Sequence, residues 1–124
     1  MKAKREHRVP LSVRAIQIVK TMTAGRQNDH VFPGQRGKGL SNMAFLQLLK
    51  RMKQKGITVH GFRSTFRDWA AEQTAYPSDV VEMALAHAVG NQVQQAYFRS
   101  DLFEKRAALM RDWAGHLETW KTKK

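Results

Sequence analysis

Cysteine is absent from this chain, which removes disulfides, thiolate nucleophiles and cysteine-ligated zinc together. Any nucleophile must therefore be an oxygen or a nitrogen. Long apolar runs are missing as well: none approaches the ~20 residues of a membrane-spanning helix, and no signal-peptide pattern opens the sequence. The expectation is a soluble, cytoplasmic protein with no membrane partner. Acids are scarce, with 10 Asp and Glu against 22 Lys and Arg, and the resulting net charge of +12 favours a polyanionic partner, nucleic acid first. His7, His30 and His116 lack the paired spacing of a metal site, so neither a metal nor a small-molecule cofactor is expected. No internal repeat occurs.

What is present suits one domain. A chain of 124 residues with 42% hydrophobic content and three tryptophans can furnish a real core. The opening "KAKREHRVPLS" reads as a short strand or partial hairpin running into a helix at Ser12, a good N-cap residue. From there Val13, Ile16, Val19 and Met22 recur at helical spacing until Gly25. A glycine-rich loop, "GRQNDHVFPGQRGKGL", follows. Ser41 or Asn42 is expected to cap a second helix carrying Phe45, Leu48, Leu49 and Met52. After the short, β-branched "ITVHGF", the segment "RSTFRDWAAEQ" reads as a helix. Another, "SDVVEMALAH", starts after Pro77 and is closed by Gly90. A short helix bearing Tyr97 precedes a long one, capped by Asp101, whose shared face holds Leu102, Leu109, Trp113, Leu117 and Trp120. The predicted fold class is mainly α and compact, with residues 121–124 as a frayed tail.

Two pairs of polar residues carry possible chemistry. His60 and Arg63 lie three apart, on one side of a turn or helix start. A phosphate suits both, because a guanidinium offers a fork of donors and an imidazole can donate or move a proton. Arg63 paired to a carboxylate and His60 capping a helix is the plainer alternative. His87 closes one helix, and Tyr97 stands in the next, so the two side chains can converge on one cleft or simply pack. A tyrosine, with a pKa of about 10, needs nearby cations or a base before its oxygen attacks at neutral pH. The same cations would stabilise a pentacoordinate phosphorane.

The order His60-x-x-Arg63, then His87 within "LAH", then Tyr97 resembles the C-terminal signature of tyrosine recombinases, the phage-integrase family. "HGFRSTFRDWA", "AYFRSD" and the "VFPG" loop look most like prophage and genomic-island integrases, and the resemblance runs from about Lys2 to Trp120. It implies that residues 1–124 are the C-terminal portion of a catalytic domain. It implies further that Tyr97 attacks a DNA phosphodiester to form a 3′-phosphotyrosyl bond while Arg63, His60 and His87 bind and charge-stabilise the phosphate. Family members also carry a catalytic lysine in a hairpin before a "VPL"; Lys2 matches that spacing, with Lys4 the alternative, and would protonate the departing 5′ oxygen. Two features depart from the pattern. No "RxGE"-like motif precedes Met1, so the isolated chain is expected to be inactive without the first arginine and the core- and arm-binding domains. Ala86 stands where glycine often precedes the histidine.

The acid-free stretch from 36 to 55 holds Arg36, Lys38, Lys50, Arg51, Lys53 and Lys55, which could grip a DNA backbone or form a solvated face. The expected partners are double-stranded DNA and, in the intact enzyme, other integrase protomers. A non-catalytic basic helical DNA-binding module, or a degenerate integrase remnant, is the rival reading. An RNA-binding basic protein would explain the charge but not the His-Arg-His-Tyr order.

Overall fold

The computed structural model describes residues 6–26, 28–87 and 100–122. Among them are five helices: α1 (Val13–Ala24), α2 (Ala44–Arg51), α3 (Gly61–Gln73), α4 (Ser78–Ala84) and α5 (Phe103–Thr122). The chain is mainly α, as its hydrophobic spacing predicts. Residues 6–12 carry no regular structure, and 1–5 lie outside the described residues. Among the described residues the β pairing is a single isolated antiparallel bridge, Pro33 with Gly39.

The chain divides into two units, Val13–Arg63 and the combination of Met1–Ser12 with Ser64–Lys124. The second of these owns the core. Phe66, Trp69 and Ala70 of α3, Val80 and Val81 of α4, Leu85, and Leu109 of α5 are all buried, with Tyr76, Ala84, Leu102, Met110 and Trp113 packed around them. Each helix supplies residues three or four apart, the spacing that forms one apolar face. The rings of Phe66 and Trp113 meet edge to face at 5.3 Å, and Trp69 lies 5.1 Å from Trp113. Burying each such large side chain stabilises the fold by about 1.5–3 kcal/mol. Leu117 and Trp120 continue the apolar face of α5 but are 48% and 67% exposed.

Helix ends differ from the sequence expectation at two places. Met43, not Ser41 or Asn42, is the N-cap of α2; Ser41 contributes its carbonyl, which accepts the Ala44 N–H at 3.1 Å. The helix expected to run to Gly90 ends earlier. Leu85 is its C-cap, and Ala86 takes φ +61°. The Ala86 N–H donates to Met83 O at 3.0 Å and the His87 N–H to Glu82 O at 2.8 Å. That pair of bonds is a Schellman closure, which favours glycine at the left-handed position. Asp101 does serve the start of α5, its Oδ1 accepting the Phe103 N–H at 3.2 Å.

In the unit formed by Val13–Arg63, α1 buries no residue and α2 buries Leu49. The loop between them is tightly turned. Gly34 N–H donates to Lys38 O at 2.7 Å, and Arg36 and Gly37 take φ +57° and +71° at its tip. Gly34 is required there: a Cβ on it would stand 2.0 Å from Gly39 O.

Candidate functional site

His60 and Arg63 sit where α3 begins. Thr58 starts the helix by accepting the Gly61 N–H on both its carbonyl, at 3.1 Å, and its Oγ1, at 3.0 Å. The next two turns close through Phe62 N–H to Val59 O and Arg63 N–H to His60 O, each at 3.1 Å. His60 is exposed and Arg63 half-buried. No acid stands in the first turn of α3, so the positive end of the helix dipole adds to Arg63 in favouring an anion.

His87 belongs to the other unit, and its position is fixed twice by one residue. Glu82 accepts the His87 backbone N–H on its carbonyl, and its Oε2 lies 2.6 Å from His87 Nδ1. The other carboxylate oxygen, Oε1, is 2.9 Å from Arg67 Nη2 of α3. An ionised carboxylate only accepts, so Nδ1 carries the proton of this bond. That leaves Nε2 for a ligand, as an acceptor when the ring is neutral and as a donor when it is protonated. The side chain is 44% exposed, within reach of a bulky ligand.

The sequence pattern does not point to Glu82 or Arg67. The available signal was a carboxylate one turn ahead of a helix-closing histidine. Arg63 and His87, expected to bind one phosphate, belong to different units. Tyr97, Lys2 and Lys4 lie outside the described residues.

The basic residues expected to touch DNA are all exposed. Arg36 and Lys38 occupy the tip of the 33–39 loop. Lys50 and Arg51 form the last turn of α2, where the dipole also favours cations, and Lys53 and Lys55 follow, Lys53 at φ +58°. Of the remaining histidines, His116 stacks on Trp113 at 5.6 Å and accepts a hydrogen bond from Trp120 Nε1 at 3.3 Å. Among the described residues no group of three or more His, Cys, Asp or Glu could hold a metal, and no helix is long and apolar enough to cross a membrane.

The model of the phage integrase family matches residues 1–103, a stretch that contains all five candidate catalytic positions. The chain belongs to the phage integrase family. Among integrases it is 38% identical over 120 residues to Prophage integrase IntA of Escherichia coli (strain K12), covering 92% of this chain and 28% of that protein. It is 36% identical over 122 residues to Prophage integrase IntZ of the same strain, covering 96% and 30%. With the Integrase of Shigella phage Sf6 the identity is 31% over 123 residues, covering 95% and 32%. This member of the family thus spans about a third or less of the length of the curated relatives it matches. No solved structure matches it.

Proposed function

We propose that this chain is the C-terminal portion of a tyrosine-recombinase catalytic domain, acting in site-specific DNA recombination through a 3′-phosphotyrosyl intermediate. The observation that carries the reading is the double hold of Glu82 on His87, at 2.8 Å through the backbone and 2.6 Å through the side chain. A histidine that merely ended a helix would need the first of these bonds alone. The second fixes which nitrogen faces the substrate, and as imidazolium His87 donates from Nε2 to a phosphate oxygen while Glu82 balances its charge. Arg63 and His60 supply further donors from the start of α3. Tyr97 Oη passes its proton to the neutral imidazole of His60 as it attacks phosphorus, the bond to the 5′ oxygen breaks, and Lys2 protonates that oxygen. Reversal by another strand's 5′ hydroxyl rejoins DNA without ATP, because the phosphotyrosyl bond retains the energy of the diester.

The partners are double-stranded DNA and other integrase protomers. The exposed stretch of Lys50, Arg51, Lys53 and Lys55 supports backbone contact, and on its own it would equally serve a non-catalytic DNA-binding module. Covalency separates the two readings. An intact integrase carrying this region should trap a nicked suicide DNA substrate as an adduct that survives a denaturing gel, and Tyr97→Phe should abolish it. Salt-reversible retention in place of an adduct from the intact protein would establish the binding module instead.

A further inference from the structure

α5 carries an arginine where its apolar face calls for a hydrophobic residue. Leu109 and Trp113 share that face, Leu102 packs against the same core just before the helix begins, and Arg106 falls three positions before Leu109. Arg106 is buried, 1% exposed. Burying a guanidinium costs several kcal/mol, and a hydrophobic side chain of similar volume in such a place is often neutral or stabilising. Packing alone therefore does not explain it.

Its hydrogen bonds do. Nε donates to Asp101 O at 2.8 Å and Nη1 to Arg8 O at 2.7 Å, so one rigid fork ties together main chain that is 98 residues and five residues away. Nη2 stands 3.4 Å from Asp101 Oδ2. Arg8 closes the cluster, donating from Nε and Nη2 to the same Oδ2 at 3.0 and 2.8 Å. Both guanidiniums lie against the Phe103 ring, at 4.3 Å for Arg8 and 5.5 Å for Arg106. What the cluster sets is the course of the backbone at Arg8 and at Asp101. Those points flank the proposed chemistry: Arg8 is the sixth residue after Lys2 and Asp101 the fourth after Tyr97.

We propose that Arg106 is a positioning residue for strand cleavage, fastening the segment that follows the general acid to the stretch that follows the nucleophile. This rests on the reading of Lys2 as the acid that protonates the 5′ oxygen. Arg106 touches no reacting atom in this account; it acts through the backbone of Arg8.

A substrate with sulfur in place of the bridging 5′ oxygen tests it, because a thiolate leaves without the proton an alkoxide needs. In the intact integrase carrying this region, Lys2→Ala should cleave the oxygen substrate at least ~10²-fold more slowly and recover on the sulfur substrate. Arg106→Lys keeps the charge but loses the fork. It should slow cleavage of the oxygen substrate by about 10–100-fold, leave DNA affinity unchanged, and recover most of that loss with sulfur. Arg8→Ala, at a side chain that is 55% exposed, gives the second arm should Arg106→Lys not fold; it should show the same pattern with a loss of about 3–10-fold. Equal losses on the two substrates, or no loss in either variant, would overturn the proposal, since Arg106 would then hold the fold and nothing more. Recovery of Lys2→Ala without recovery of a folded Arg106→Lys or Arg8→Ala defeats the proposal alone. Failure of sulfur to rescue Lys2→Ala removes the general-acid assignment, and this inference with it.

Discussion

The two units of this chain are built from the same kind of amphipathic helix and use it differently. In the unit holding most of α3 with α4 and α5, apolar faces meet, and Ala70, Val80 and Leu109 are 0–1% exposed. In the unit Val13–Arg63 the faces are as regular but meet little. Val13, Ile16 and Ile18 of α1 and Phe45, Leu46 and Leu48 of α2 are 39–74% exposed, and Leu49 is the buried residue. Periodicity decides that a helix forms and which face is apolar. It does not decide how much of that face is covered.

The contrast is sharpest in a matched pair of truncations. Leu109→Ala should destabilise the chain by about 3–5 kcal/mol, and Leu49→Ala by about 1–2, because the second site has few neighbours to leave a cavity among. Urea denaturation monitored by tryptophan fluorescence reads both. Equal losses would show that the Val13–Arg63 unit is as well packed as the other.

Charge reversal should give the next largest effect, this time on DNA binding and in the loosely packed unit alone. Changing Lys50, Arg51 and Lys53 together to glutamate should weaken duplex binding and reduce the log-log salt slope by about 0.9 for each phosphate that is no longer neutralised. An unchanged slope removes the end of α2 from the interface.

In the packed unit, Tyr76 donates its hydroxyl to Asp112 Oδ2 at 2.6 Å, and that bond, with burial and the carboxylate's charge adding to it, raises the phenol pKa above 10.0. A raised phenol pKa means the folded state favours the neutral form. This stabilisation is complete below pH about 10 and fades as pH climbs through the folded-state value. Tyr76→Phe should cost about 1 kcal/mol at neutral pH and flatten the alkaline limb of stability. Loss that persists undiminished at high pH would assign the effect to packing.

Ala86→Gly should be the smallest change, stabilising the chain by about 0.5–1 kcal/mol in thermal unfolding, because glycine relieves the φ of +61° at the helix closure. No gain, or a loss, would mean that the added freedom of the unfolded chain outweighs the strain.

Much of this was legible from the sequence, for reasons particular residues make plain. The spacing of Val13, Ile16, Val19 and Met22, ended by Gly25, marks α1 to within a residue or two. The close of α4 was not legible, because its left-handed position is filled by alanine, and Gly90 offered the more usual signal. Nor were Glu82 and Arg106. Glu82 acts through a carboxylate five residues from His87, in a helix read only for its apolar face. Arg106 acts through Arg8, 98 residues away, and no local pattern encodes such a pairing. Tyr97 and Lys2, named from their place in the family signature, lie outside the described residues and rest on that signature.

The proposed recombination chemistry depends on the identity of the nucleophile, and one measurement reaches it directly. The adduct formed by the intact integrase on a suicide substrate is digested with nuclease and protease, and the peptide bearing the nucleotide is sequenced by mass spectrometry. The prediction is a 3′-phosphonucleotide on Tyr97. Attachment at any other residue, or a catalytically competent protein that forms no adduct, would contradict it.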